Sequence, residues 1–105
     1  CVAGAQVLTP IAGDFRSNAH LGGQGRPFSM TDDIEKISLL AASAVGLEIA
    51  GVDIMVAPGE PPLVGEVNYA PGFKVLEQTT SKDIAGIIVD YAVKKAADGG
   101  NPQCK

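Results

Sequence analysis

The chain has 105 residues, a net charge of −4 and no Trp, and 46% of its residues are hydrophobic. That length predicts one small domain, with a modest core built from Val, Ile, Leu and Ala. Its eight Lys and Arg are scattered among twelve Asp and Glu, which argues against a nucleic-acid surface or an anionic membrane as partner.

No secretory leader and no apolar run of bilayer length is visible, so the chain reads as cytoplasmic. The two cysteines, Cys1 and Cys104, stand at the ends without metal-ligand spacing. A disulfide between them is one reading; two separate thiols in a reducing compartment is the favoured one. The chain starts without Met and runs straight into a strand-like segment, as a piece of a longer protein would.

The first element predicted is a strand in "VAGAQVLTP". The polar, glycine-rich "IAGDFRSNAHLGGQGRP" follows and lacks apolar periodicity, so it reads as a long loop of the functional kind. In "TDDIEKISLLAASAVG", Ile34, Ile37, Leu40, Ala41, Ala44 and Val45 recur at helical spacing. Thr31 can cap that helix, Asp32 and Asp33 suit its positive end, and Gly46 can close it. "EIAGVDIMVA" and "PLVGEVNYA" read as two strands of a hairpin joined through the stiff "PGEPP". "PGFKVLEQTTSK" reads as turn and loop. "SKDIAGIIVDYAVKKAA" reads as a second helix capped by Ser81, with Ile84, Ile87, Ile88 and Tyr91 on one face, and a tail follows.

A hairpin turning at Gly59 and Glu60 sets Asp53 opposite Glu66. Alternation then places Asp53, Met55, Val64, Glu66 and Asn68 on one face. Val52, Ile54, Leu63, Gly65 and Val67 take the other, an apolar pattern. Facing carboxylates repel unless a cation lies between them or one is protonated. Asp, Glu and Asn offer oxygen alone, the donor set of a hard cation such as magnesium. The plain alternative is an ordinary solvent face, and the pattern by itself leaves both open.

A second cluster lies in "GDFRSNAHLGG". Arg16 could neutralise phosphoryl charge with its planar fork, Asn18 could orient a phosphate or a metal-bound water, and Gly22 and Gly23 would let backbone approach a ligand. No Walker A spacing is present, and an ordinary polar loop is the reading these residues by themselves favour. His20 reads as a loop histidine with a local hydrogen bond, Asp14 as a turn residue, and Lys74 and Glu77 as solvated.

Taken in order, "GDFRSNAHLGG", a helix, "AGVDI", "GEVNYAPGF" and "TTSKDIAGIIVDY" resemble the C-terminal part of an ATP-grasp ligase of the RimK-like branch, over about Val2 to Val93. The resemblance implies an α+β fold: a mainly antiparallel sheet packed against two helices. Residues 1–97 would form the C-terminal ATP-grasp core and 98–105 a tail. It implies that Asp53, Glu66 and Asn68 hold magnesium, or manganese, bridging the ATP phosphates. It implies that Arg16, Ser17 and Asn18 contact the phosphates or the reacting acyl phosphate, with Arg16 catalytic.

The chemistry implied is ATP-dependent joining of a carboxylate to an amine, with glutamate added to a protein tail or to a coenzyme acceptor. A homo-oligomer is compatible with it. Members of the family are much longer and carry a nucleotide lid with a lysine and the adenine pocket. No stretch of the 105 residues matches that lid, which implies that the chain alone is inactive. A non-catalytic binding or assembly module retaining the ATP-grasp core is the competing reading.

Overall fold

The computed structural model describes residues 1–9 and 24–98. Seven elements follow in order: β1 (Gln6–Thr9), β2 (Gln24–Pro27), α1 (Asp32–Ala44), β3 (Gly51–Met55), β4 (Leu63–Asn68), α2 (Lys74–Thr80) and α3 (Ile84–Asp98). The fold is α+β, as expected. It departs from expectation in having three helices among the described residues, and two antiparallel two-stranded sheets in place of one sheet. The chain divides into two compact units.

The first unit comprises Cys1–Val2 and Met30–Gly72. Here α1 packs against the β3–β4 hairpin. Its inward stripe is Ile34, Ile37, Ser38, Ala41 and Ala42, all half-buried. Leu40, Ala44 and Val45, expected on that stripe, are exposed.

Thr31 has the extended backbone of a cap residue, but its hydroxyl makes no capping bond to the helix. It donates instead to Asp33 Oδ1 at 2.5 Å, and the same oxygen accepts the Ile34 N–H at 2.9 Å. The helix closes on Gly46, at φ +73°. Gly46 N–H donates to Ser43 O and Leu47 N–H to Ala42 O, both at 3.0 Å. That pair of bonds is the Schellman closure, which needs a left-handed residue after the helix.

The second unit comprises the described parts of Ala3–Ser29 and Phe73–Lys105. β1 and β2 pair antiparallel from Gln6↔Pro27 to Thr9↔Gln24. β2 falls inside the stretch expected to be loop. Gly and Pro are depleted from strands, so "QGRP" carries no local strand signal. Its partner β1 recruits it, and Pro27 sits at the strand end, where a missing N–H is tolerated.

α2 was also expected as loop. Val and Thr are modest helix formers, and seven residues are too few to be helical alone. Packing against β1 and β2 supplies the rest. At its end Ser81 takes the left-handed region, φ 57°, and its N–H donates to Glu77 O at 2.9 Å. Ser81 therefore terminates α2 and does not cap α3.

That cap is Asp83. Its Oδ1 accepts the Gly86 N–H at 2.9 Å, and its carbonyl accepts the Ile87 N–H at 3.1 Å. Glu77, read as solvated, is half-buried and adds Oε2 as acceptor for the Ala85 N–H at 3.0 Å.

The face of α3 predicted to be internal is so: Ile84 is buried, and Ile87, Ile88 and Tyr91 are half-buried. Ile84 meets Leu76 around Gly4, where a Cβ would lie 3.0 Å from Ile84 Cδ1 and 3.5 Å from Leu76 Cδ2. Cys1 is disulfide-bonded, not the free thiol the sequence favoured; Cys104 lies outside the described residues.

Candidate metal and phosphate site

The site is built on the β3–β4 hairpin. The register pairs Gly51 with Asn68, Val52 with Val67 and Asp53 with Glu66. The two carboxylates therefore face each other across the ladder, as the turn position predicted. Directly opposed side chains emerge on the same side of a sheet, with Cβ atoms roughly 4.5–5.5 Å apart. Asn68 lies two residues beyond Glu66 on that side. All three are exposed, while Val52 and Val67 are half-buried on the opposite side.

Beyond Asp53 the register shifts: Ile54 pairs with Val64 and Met55 with Leu63. Gly65 is the extra residue of a β-bulge, and one extra residue reverses strand parity. This corrects the expected faces near the turn. Val64 joins Ile54 on the apolar side, and Leu63 moves beside Met55 on the carboxylate side. Met55 and Leu63 are both exposed, at 61% and 59%. The carboxylate pair is thus bordered by an apolar pair toward the turn and by Asn68 away from it.

The end of β4 is tied down. Asn68 Oδ1 accepts the Ala70 N–H at 3.0 Å, an Asx-turn that bends the chain out of the strand. An amide oxygen has two lone pairs, so one stays available to a cation. Pro71 lies directly over Gly51, where an added Cβ would stand 2.8 Å from Pro71 Cβ. Gly51 is the partner of Asn68, so strand end and turn are clamped together. "NYAPG" signals a turn from sequence alone, but its seat on Gly51 is a tertiary fact.

The donors fit a hydrated hard cation: two facing carboxylates, an amide oxygen, and open access for the waters magnesium retains. No group of three or more His, Cys, Asp and Glu side chains suited to a metal occurs among the described residues. The candidate set has two carboxylates only, its third donor being the amide. Arg16, Ser17 and Asn18 lie outside the described residues, as do Asp14, His20, Gly22 and Gly23.

Comparison with known proteins gives this hairpin a context. A family model described as the RimK-like ATP-grasp domain matches residues 1–92. The chain belongs to the RimK-like ATP-grasp family. Among its relatives is the probable alpha-L-glutamate ligase 2 of Hahella chejuensis, 43% identical over 100 residues, covering 95% of this chain and 33% of that protein. The probable alpha-L-glutamate ligase of Azotobacter vinelandii is 45% identical over 103 residues, covering 93% and 34%. That of Coxiella burnetii is 46% identical over 84 residues, covering 80% and 28%. The chain thus spans about a third of the length of the curated relatives it matches. Among the described residues, no helix is long and apolar enough to cross a membrane.

Proposed function

We propose that this chain forms the metal- and phosphate-binding floor of an ATP-dependent carboxylate–amine ligase of the glutamate-ligating kind. The observation that carries the reading is the in-register Asp53–Glu66 pair with Asn68 on the same side, in a chain of the RimK-like ATP-grasp family. The names of the relatives, alpha-L-glutamate ligases, support the substrate class.

In this reading a substrate carboxylate oxygen attacks the γ-phosphorus of ATP. The bond to the bridging oxygen breaks, ADP leaves and an acyl phosphate forms. An amine nitrogen then attacks the acyl carbon, phosphate departs with the bonding pair, the nitrogen gives up a proton, and an amide remains. Asp53, Glu66 and Asn68 would hold magnesium, which supplies charge neutralisation on the phosphate oxygens. Arg16 adds a fixed positive charge where negative charge builds up, and Ser17 and Asn18 orient the phosphoryl group by hydrogen bonding. The Asx-turn keeps Asn68 in place before any ligand arrives.

Glutamate is the group added, and a protein tail or a coenzyme is its acceptor. Residues 1–97 act as the ATP-grasp core, and the chain by itself turns nothing over. It holds ATP by the phosphate end alone, so its affinity is millimolar or weaker, about −4 kcal/mol at best. Backbone amide NMR titration of the chain with ATP and magnesium tests this. Shifts centred on residues 51–55 and 63–68, saturating in the millimolar range and lost in Glu66→Ala, are expected. Micromolar affinity would mean a complete nucleotide pocket. An unchanged titration in Glu66→Ala would remove the oxygen face from the site.

A further inference from the structure

The residue after Asn68 is unaccounted for by metal or phosphate binding. Alternation would send Tyr69 to the Val67 side of the hairpin. Instead β4 ends at Asn68, and Tyr69 is 80% exposed, the highest value of any large hydrophobic residue among those described. It is not on a loose tip. Tyr69 is the central residue of the Asx-turn closed by Asn68 Oδ1 and the Ala70 N–H, and Pro71, two residues on, is seated on Gly51. The backbone is held on both sides of a ring left in water.

We propose that Tyr69 positions the carboxylate- or amine-bearing substrate of the ligation, by stacking its ring on a planar unsaturated group of that substrate. The proposal rests on the ligase reading above. Three features of the molecule support it. A rigid backbone beneath a side chain with only two torsions loses little entropy on binding, which is how aromatic residues serve as recognition platforms. The ring starts one residue, about 3.8 Å between consecutive Cα atoms, from a metal-ligand candidate, within reach of whatever reacts at the terminal phosphate. A nucleobase is a poor occupant of that position. Ribose and two further phosphates separate it from the γ-phosphate, and the exposed Met55–Leu63 pair lies at the other end of the oxygen face.

The planar group could be an aromatic ring or a peptide plane, and the test separates them. The chain has two tyrosines and no tryptophan, so its Tyr ring resonances are readily assigned. Half-buried Tyr91 on α3, in the other unit, is the internal control. The probes, added to chain saturated with magnesium and ATP, are L-glutamate, glutamyl-glutamate and N-(4-aminobenzoyl)-glutamate.

The Tyr69 ring protons should shift with the aminobenzoyl probe or the dipeptide, more than with L-glutamate, while those of Tyr91 stay in place. A shift with the aminobenzoyl probe alone identifies an aromatic ring, and a shift with both probes identifies the amide plane that both carry. Tyr69→Leu should weaken that probe roughly 3- to 10-fold, Tyr69→Phe should retain it, and neither should alter the ATP titration.

The proposal is overturned if no probe moves Tyr69, if Tyr69→Phe loses as much as Tyr69→Leu, or if Tyr69→Leu weakens ATP instead. The underlying reading fails separately, through an ATP titration that ignores Glu66→Ala.

Discussion

Gly51→Ala probes the clamp that holds Asn68 and Tyr69. A Cβ on Gly51 would sit 2.8 Å from Pro71 Cβ, about 0.7 Å inside the ~3.5 Å lower limit of comfortable carbon–carbon contact. The obstacle is a proline ring in a turn, not the far end of a flexible side chain, so backbone must move. Overpacking of this kind costs about 1–3 kcal/mol, against a gain of about 0.4–1 kcal/mol from stiffening the unfolded chain. The net expectation is a loss of about 1–2 kcal/mol. At about 4–8 °C per kcal/mol for a chain of this size, Tm should fall by about 5–15 °C.

Gly65→Ala, in the same hairpin, is the control. Its Cβ would meet Asp53 O at 3.6 Å and Met55 side-chain atoms at 3.9 Å, ordinary contacts, so stability should stay within about 0.5 kcal/mol of the parent. Thermal unfolding followed by circular dichroism measures both. A Gly51→Ala chain as stable as the parent, or a Gly65→Ala chain that suffers more, would refute the clamp.

Glu66→Ala should leave the chain folded and, by relieving the facing Asp53, raise its stability by up to about 1 kcal/mol while removing the magnesium-dependent ATP shifts; unfolding in urea without ATP checks the first part. The Thr31 hydroxyl and then the Ile34 N–H hold the Asp33 carboxyl below its ordinary value of 3.8. A lowered folded pKa means that this support of α1 is complete above the ordinary value and is lost as pH falls through the lowered one. Thr31→Val should move the Asp33 carboxyl back up toward 3.8, read from side-chain carbonyl NMR against pH. Asp83→Ala removes the acceptor for the Gly86 N–H and should cost about 1 kcal/mol, seen as a lower urea midpoint with an unchanged slope.

The helices α1 and α3 and the pairing of Asp53 with Glu66 were legible because their signals are local. Apolar residues at Ile34, Ile37 and Ala41, and at Ile84, Ile87, Ile88 and Tyr91, repeat with the helical period. The stiff "PGEPP" segment leaves the hairpin one centre, and that centre sets register. The oxygen face followed from strand alternation, and the family from the order of its motifs.

What the sequence could not decide depends on partners distant along the chain. "QGRP" becomes β2 only because β1 offers it a ladder, and "KVLEQTT" becomes α2 only because the β1–β2 pair supplies a surface. The Gly65 bulge is a property of two strands together. It reverses Leu63 and Val64 while leaving Asp53, Glu66 and Asn68 in place, because the extra residue lies on the turn side of the carboxylate pair. The same distinction separates Asn68 from Tyr69. An amide on an alternating strand can be read as a ligand from its neighbours, but a ring left in solvent on a clamped turn is visible only once Pro71 is seen resting on Gly51.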